Sequence, residues 1–320
     1  MAYAQIWNDG AFTRLFSKVP FYGTYDDHEL LNDWSLADSH DRFDQAMAFF
    51  DEFVGGKNPP PPAWEAGRMG ALPPPLPLPE GGQRFDLDAS RTGARPRYFH
   101  FNRGAHASFF VLDTRQYASS PPRQGGPSEP HLRTKLGAVQ LALLKDWLLT
   151  SRSTFKFLCS STAWTSTAFK FVQDGWAAYT HERDALFDFI AEHNVTGVVL
   201  LSADLHWAGA FHLKQWNLHE VTVSPVQSFG LPYVITPSHT ESNDYSSGWR
   251  MHFGQIEVHS GSTLARGQDE AAPTSPWINI TVYRYQYGEP KPHRSIVLRA
   301  SDMTHRAVNS SFAVHFAHDN

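Results

Sequence analysis

The chain has 320 residues, a formal net charge of −5, 41% hydrophobic residues and 18% charged residues. This composition excludes a disordered polyelectrolyte, and the negative net charge without a basic stripe argues against a nucleic-acid partner. The single cysteine, Cys159, excludes an intrachain disulfide and a zinc site built from cysteines. No apolar run approaches the ~20 residues that cross a bilayer, so we expect no membrane span.

The chain opens with a short amphipathic segment and an apolar run. Asn8 is a candidate N-cap for a helix that carries Phe12, Leu15 and Phe16 at helical spacing. Residues 19–25 are rich in aromatic residues and end abruptly in a polar cluster. A short run of this kind is typical of a strand buried on both faces, so we predict a strand there.

The middle of the chain alternates between predicted strands and predicted helices. Residues 107–112, 155–161 and 196–201 are short apolar runs that predict buried strands. Helical periodicity predicts two helices between them, over residues 137–151 and over residues 180–190 with Thr180 as N-cap.

Two regions differ from this pattern. Residues 58–82 are rich in proline, which predicts an extended surface insertion. After residue 206 the predicted strands are shorter, alternate more and are separated by Gly, Pro and Ser, which is typical of an antiparallel sheet. These strands cover residues 221–224, 251–259, 277–284 and 295–300. Together the elements predict an α/β fold.

Two polar clusters follow predicted strands. Asp26, Asp27, His28 and Glu29 follow the first run, with Asn32 and Asp33 just beyond. Carboxylate and imidazole groups are ligands for hard cations and transition metals, respectively. The alternative is a solvated acidic loop in which Glu29 caps a helix.

The second cluster contains Asp204 and His206, which directly follow the predicted strand at residues 196–201. In open α/β sheets, ligands bind beyond the carboxyl ends of the strands. We therefore expect the two clusters to meet at one edge and to hold a metal that polarises a phosphoryl oxygen.

Three further residues have alternative interpretations. Arg115 is suited to bidentate binding of an oxyanion, but a buried pair with Asp113 is the favoured interpretation. Trp176 fits a pocket wall or the ordinary core, and Cys159 fits a small core residue.

Five motifs in a fixed order resemble the PhoD-like phosphatase (alkaline phosphatase D) family of the metallophosphoesterase superfamily. They span residues 19 to 206, which include VPFYGTYDDHELLNDW (19–34), FFVLDTRQY (109–117), LGAVQ (136–140), DGWAAY followed by ER (174–183) and LLSADLH (200–206).

The resemblance implies an α/β/β/α sandwich with mixed sheets and metal-dependent hydrolysis of small-molecule or polymeric phosphate esters. It implies a di- or multinuclear centre of iron with calcium, with manganese or zinc as alternatives. By the same resemblance Asp27, Asp204 and His206 are metal ligands, and His28 assists the leaving group. Asp26 and Glu29 would orient these ligands, while Asn32, Arg115 and Trp176 are candidates for supporting or substrate contacts.

The sequence also departs from the family pattern. The two earliest metal-binding motifs of the superfamily are not present, Ser160 and Ser161 stand in place of a histidine, and Ala118 and Ala203 replace an arginine and a glycine. We therefore expect residues 1–320 to be the C-terminal part of a single catalytic domain whose first strands are missing, as in a truncated gene model. The alternative is a non-catalytic homologue that acts as a binding or interaction protein. Relatives of this type are often exported, but residues 1–10 contain no secretory signal.

Overall fold

A large mixed sheet forms the centre of this computed structural model, which describes residues 8–35, 42–71, 95–121, 126, 128–168, 174–226, 230–233, 235–236, 238–261 and 275–305. The strands of the sheet are β1 (Phe99–Arg103), β2 (Ala107–Val111), β3 (Phe155–Cys159), β4 (Val198–Ser202), β5 (Ala208–Leu213), β6 (Leu218–Thr222) and β7 (Glu241–Ser247). Their order across the sheet is β1-β2-β3-β4-β6-β5-β7.

The middle of this sheet is parallel. Strands β2, β3, β4 and β6 run in the same direction, and β1, β5 and β7 are antiparallel to their neighbours. This confirms the predicted strands at residues 107–112, 155–161 and 196–201. The prediction for residues 221–224 was wrong about the partner, because β6 lies between β4 and β5 and extends the parallel part of the large sheet.

A second sheet is antiparallel throughout. It contains β8 (His252–His259), β9 (Trp277–Gln286) and β10 (Glu289–Arg299), in the order β10-β9-β8. These strands confirm the remaining predictions after residue 206. Three strands were missed by the sequence analysis: β1, β5 and β7. Strand β7, for example, has the sequence ESNDYSS, which lacks the apolar residues that mark a strand.

The helices are α1 (Gly10–Phe16), α2 (Phe43–Phe53), α3 (Ala66–Met69), α4 (Gly137–Thr150) and α5 (Thr180–Glu192). Helices α4 and α5 confirm the two helices predicted from periodicity. Two predicted caps were wrong. Asp9, not Asn8, caps α1, because its extended backbone lets its carboxylate accept hydrogen bonds from the N–H groups of Ala11 and Phe12. Thr180 is the first helical residue of α5. Tyr179 occupies the N-cap position, and its side chain makes no capping hydrogen bond.

The central strands bury both faces. Phe110 and Leu200 belong to a core cluster with Leu144 of α4 and Leu186 of α5. A second cluster on the other face contains Phe157, Val199 and Val221 together with Ile278, Ile280 and Val282 of β9. The alternation of side chains along each strand therefore places helices on one face and the small sheet on the other.

Residues 19–25 lie outside every helix and strand and so do not form the predicted strand. Their hydrogen bonds go to side chains and to one strand end: Gly23 and Asn58 exchange two hydrogen bonds of 2.7 and 3.1 Å, and the Thr24 hydroxyl donates to the Leu112 carbonyl. Tyr25 is buried and packs on Trp34. The apolar run therefore serves a separate aromatic cluster and not a sheet.

The proline-rich prediction falls partly outside the described residues, namely at positions 72–82. The described portion has no ladder pairing and ends in α3, with Trp64 and Met69 partly buried against the main core. No helix within the described ranges is long and apolar enough to span a membrane.

Candidate metal centre

The candidate centre is built at the carboxyl ends of three parallel strands. The loop after β2 carries Arg115, the loop after β3 carries Ser161, and the loop after β4 carries Asp204. Because β2, β3 and β4 are parallel neighbours, these loops leave the sheet at the same edge. Residues 26–33 reach this edge from the extended segment that precedes them.

Carboxylates from three separate segments converge there. Oxygen atoms of Asp26, Asp27 and Asp204 lie within 4.8 Å of one another, and so do oxygen atoms of Asp27, Asp33 and Asp174. Asp27 is buried and belongs to both groups. The carboxylates of Asp27 and Asp204 therefore lie close together, as the sequence analysis expects.

A buried arginine holds two of these carboxylates in place. Arg115 is 1% exposed, and its Nη2 and Nη1 atoms each lie 2.6 Å from a carboxylate oxygen, of Asp26 and Asp174 respectively. The predicted side-chain pair with Asp113 was wrong. The Asp113 carboxylate instead accepts hydrogen bonds from the Tyr25 hydroxyl and from two backbone N–H groups. These three donors stabilise the carboxylate without a contact from the Arg115 guanidinium.

Ser161 extends this network to the neighbouring strand end. Its hydroxyl donates to Asp26 Oδ1 over 2.8 Å and also lies 2.6 Å from the Thr114 hydroxyl. Ser161 therefore orients a carboxylate of the candidate site.

Two buried glutamates fix the loop that follows Ser161. Glu220 accepts hydrogen bonds from the backbone N–H groups of Trp164 and Thr165 at 2.8 and 2.7 Å. Glu241 accepts from the backbone and hydroxyl of Ser166 at 3.0 and 2.8 Å. Burial raises the pKa of Glu220 to about 7. These contacts hold the loop rigidly against β6 and β7.

The electrostatics of the site reflect an excess of negative charge. The pKa of Asp204 is raised by burial and by repulsion from Asp26 and Asp174. The pKa of Asp33 is raised by burial and then by Asp174 and Asp27. Carboxylates so crowded favour a bound cation that would offset their repulsion.

Two positively charged side chains, those of Arg115 and Lys135, stabilise the ionised carboxylate of Asp174. Burial on its own would raise the pKa of this carboxyl, but Arg115 and Lys135 outweigh that effect and lower it. The Lys135 ammonium donates to the Asp174 backbone carbonyl. Burial, together with repulsion from Arg115, lowers the pKa of Lys135 to about 8.

The two predicted histidines differ in position. His28 lies at the surface, with a side chain that is 72% exposed and an Nε2 atom 3.9 Å from Asp27 Oδ1. His206 is half-buried, and its backbone N–H donates to the Ser224 hydroxyl over 2.9 Å. Neither imidazole belongs to the two carboxylate groups found in the described residues.

The remaining predicted residues play structural parts. Glu29 accepts a hydrogen bond from the Asp26 N–H over 2.9 Å and so closes the short turn Asp27–Glu29, as in the alternative interpretation of this cluster. Asn32 is exposed on the same loop. Trp176 is completely buried, stacks on Trp164 with ring centroids 4.3 Å apart and donates to the Ser160 hydroxyl. A substrate contact for Trp176 was therefore the wrong interpretation, because no face of its ring reaches solvent.

The sequence analysis did not assign Asp33, Asp174, Lys135 or Ser161 to the site. Asp33 was noted only as a neighbour of the first cluster, and Asp174 only as part of a family motif. Asp33 lies on the same loop as Asp27, and its N–H donates to Asp27 Oδ2 over 3.0 Å. No local pattern marks the other three, since Asp174, Lys135 and Ser161 reach the site only through the packing of separate loops.

The donor set suits a hard divalent cation. Carboxylate oxygens are the preferred ligands of Ca²⁺, Mg²⁺ and Mn²⁺. The two carboxylate oxygens of Asp174 are buried and make no hydrogen bond within the described structure, although one of them is ion-paired with Arg115. An oxygen in this position is suited to coordinate a cation shared with Asp27 and Asp33.

Comparisons with known proteins agree with this fold. Alkaline phosphatase D of Bacillus subtilis (strain 168) is 33% identical to this chain over 153 residues, which is 43% of the chain and 25% of that protein. A solved structure of PhoD has the same fold, with a TM-score of 0.60 and 18% identity over 97% of this chain and 58% of that chain. The chain thus spans a quarter to somewhat over half of the length of these relatives. The family model for PhoD-like phosphatases matches residues 1–268. The chain belongs to the PhoD-like phosphatase family.

Proposed function

We propose that this chain hydrolyses phosphate esters with the help of divalent cations bound by its converging carboxylates. The observation that carries the proposal is the position of Asp27, which lies within 4.8 Å of Asp26 and Asp204 on one side and of Asp33 and Asp174 on the other. Membership of the PhoD-like phosphatase family supports the same reaction class.

The residues divide the work between ligation and orientation. Asp27, Asp204, Asp33 and Asp174 would hold the cations, and His206 is a further proposed ligand from the same loop as Asp204. When bound, a divalent cation polarises a phosphoryl oxygen and makes water more acidic. Arg115 is already engaged with carboxylates, so it orients the ligands and does not contact the substrate.

His28 has the position of a proton donor. It adjoins Asp27 but stands largely in solvent, where it can reach the leaving oxygen of an ester whose phosphoryl group lies over the carboxylates. Imidazole is the side chain that most often transfers protons in general acid and base catalysis. We assign His28 to protonation of the departing alkoxide.

The test compares cation binding and hydrolysis in matched variants. Wild-type protein is treated with chelator and then assayed with p-nitrophenyl phosphate and bis(p-nitrophenyl) phosphate in the presence of Mn²⁺, Ca²⁺, Fe²⁺ or Zn²⁺. We expect cation-dependent turnover that Asp27→Asn lowers by about 100-fold or more. Asp44→Asn, at an exposed position in the first turn of α2, is the control and should leave turnover unchanged.

Calorimetric titration with each cation separates the two functional alternatives. Cation binding without turnover of either ester would favour the non-catalytic homologue that acts as a binding protein. The proposed site would be contradicted if wild-type protein kept its turnover in the presence of chelator and the Asp27→Asn variant also kept its turnover.

A further inference from the structure

A group of exposed apolar side chains lies beside the candidate metal centre. Leu231, Tyr233 and Trp249 have 37%, 53% and 66% of their surface exposed, respectively. We call these three residues the apolar rim. Single exposed apolar residues are ordinary, but residues of this size on adjacent segments form a surface that can bind an apolar group.

Backbone hydrogen bonds join the rim to the site. The Leu231 N–H donates to the His206 carbonyl over 2.8 Å, and the Trp249 N–H donates to the Leu231 carbonyl over 2.9 Å. His206 is two residues from Asp204, whose carboxylate belongs to the candidate centre. The rim therefore begins within a few residues of the point where a phosphoryl group would lie.

The two segments of the rim are packed closely. A Cβ atom on Gly248 would lie 2.5 Å from the Leu231 carbonyl oxygen and 3.0 Å from the Tyr233 nitrogen. A Cβ atom on Gly230 would lie 2.6 Å from the Arg250 nitrogen. Both glycines are needed for this approach of the two backbones, so the relative positions of the rim side chains are set by the fold.

The backbone of this corner is strained. Asp204, His206 and Trp249 have φ values of +72°, +56° and +58°, in the left-handed region that large side chains seldom adopt. Each such residue is destabilising unless the surroundings impose its conformation. Core packing does not explain Trp249, because two thirds of its surface faces solvent. Strained residues of this kind are concentrated at binding and catalytic sites.

We infer that the apolar rim binds the organic group of the substrate, so that the site prefers phosphate esters with an aromatic or similarly bulky apolar group over small esters. This inference rests on the proposed function. The phosphoryl group would lie over the carboxylates, and the organic group would extend past His206 onto Leu231 and Trp249. The rim would thus contribute to substrate binding without taking part in bond cleavage.

The test uses benzyl phosphate and methyl phosphate, which are both alkyl esters with leaving groups of similar basicity. Trp249→Ala should raise KM for benzyl phosphate about tenfold, as expected for the loss of roughly 50 Å² of apolar contact. KM for methyl phosphate and kcat for both esters should stay within about twofold. Trp249→Asn serves as a second variant, because asparagine tolerates the left-handed backbone better than alanine. Tyr287→Ala, at an 89% exposed position between β9 and β10, is the control and should change neither KM.

Binding of non-hydrolysable benzylphosphonate and methylphosphonate, measured by calorimetry with Mn²⁺ present, gives a readout that is independent of turnover. If wild-type protein binds benzylphosphonate more tightly than methylphosphonate and both Trp249 variants abolish this difference, the result supports the rim. It does so even if wild-type protein hydrolyses no ester, and in that case the proposed function alone fails. Equal affinity of wild-type protein for the two phosphonates would overturn the rim. The rim would also be overturned if the Trp249 variants weakened the binding of both phosphonates to the same extent.

Discussion

Arg115 and Asp174 form a buried ion pair with 2.6 Å between Nη1 and Oδ2, although 59 positions separate them along the chain. The same guanidinium contacts Asp26 Oδ1 through Nη2, also at 2.6 Å. The Arg115 guanidinium therefore connects the loop after β2 with two other loops that carry carboxylates of the candidate centre. This guanidinium thereby stabilises two carboxylates of the candidate centre.

Replacement of Arg115 should destabilise the fold strongly. Arg115→Met removes the guanidinium that pairs with both Asp26 and Asp174 and leaves Asp174 with Lys135 as its neighbouring positive charge. We expect a loss of about 3 kcal/mol in the free energy of unfolding. Arg115→Lys should cost less, because it keeps the charge but cannot contact both carboxylates as a planar fork does. Urea unfolding in the presence of chelator measures both. Arg103→Met, at an exposed position of β1, is the control, and equal losses for Arg103→Met and Arg115→Met would contradict the assignment.

Asp204→Asn should stabilise the cation-free protein and weaken cation binding. Burial and repulsion from Asp26 and Asp174 oppose a charge at Asp204, so a neutral side chain relieves that cost. We expect a gain of about 1 kcal/mol in chelator, as is common when a functional carboxylate is removed. The stabilisation of wild-type protein by added Mn²⁺ should largely disappear in the variant.

Thermal unfolding with and without Mn²⁺ checks this prediction. Asp204→Ala provides the comparison, since alanine at φ +72° loses about 1 kcal/mol through backbone strain and should cancel the gain. If Asp204→Asn were less stable than wild type in chelator and equally stabilised by Mn²⁺, Asp204 would not be part of a cation site.

His28→Ala should affect esters according to their leaving groups. An alkoxide needs a proton on departure, whereas p-nitrophenolate leaves readily without one. We expect kcat for benzyl phosphate to fall by about 100-fold and kcat for p-nitrophenyl phosphate to fall much less. Steady-state kinetics on both esters provide the measurement, and His193→Ala, at an exposed position after α5, is the control. A uniform loss on both esters would show that His28 does not donate this proton.

Acid should destabilise the protein through His252. This residue is 1% exposed, and burial lowers its pKa to about 4, with His293 and Arg284 nearby adding repulsion. The unfolded chain takes up the proton near pH 6.5 and the folded chain only near pH 4, so unfolding binds protons in this window. The free energy of unfolding therefore falls as the pH is lowered from about 6.5 to about 4, by on the order of 2 kcal/mol from this residue.

His252→Gln isolates this contribution. Glutamine can keep a hydrogen bond to the Ser247 hydroxyl, which lies 3.1 Å from His252 Nε2, but it does not titrate. The difference in unfolding free energy between wild type and variant, measured by urea titration at pH 7.5 and at pH 4.5, should shift in favour of the variant at the lower pH. A difference that stays constant across this range would remove His252 as the cause.

The sequence by itself determined the central strands, the two long helices and two of the site carboxylates. Short apolar runs at residues 107–112 and 196–201 could only be buried as strands between two covering layers, and polar residues directly after them had to lie at the edge of the sheet. Asp204 was predicted in this way. A polar cluster that follows an aromatic run contains Asp27, which the family resemblance then singled out. These signals are local, because strand burial and chain direction are encoded in neighbouring residues.

Tertiary structure alone decided which side chains meet at that edge. Asp174 pairs with Arg115, and Ser161 with Asp26, across long stretches of chain that carry no common pattern. The same applies to residues 19–25, where the Gly23 backbone bonds to the Asn58 side chain and the Thr24 hydroxyl donates to the Leu112 carbonyl, without a ladder. Burial of a charge is stable only with a partner, and the identity of that partner depends on how the loops pack.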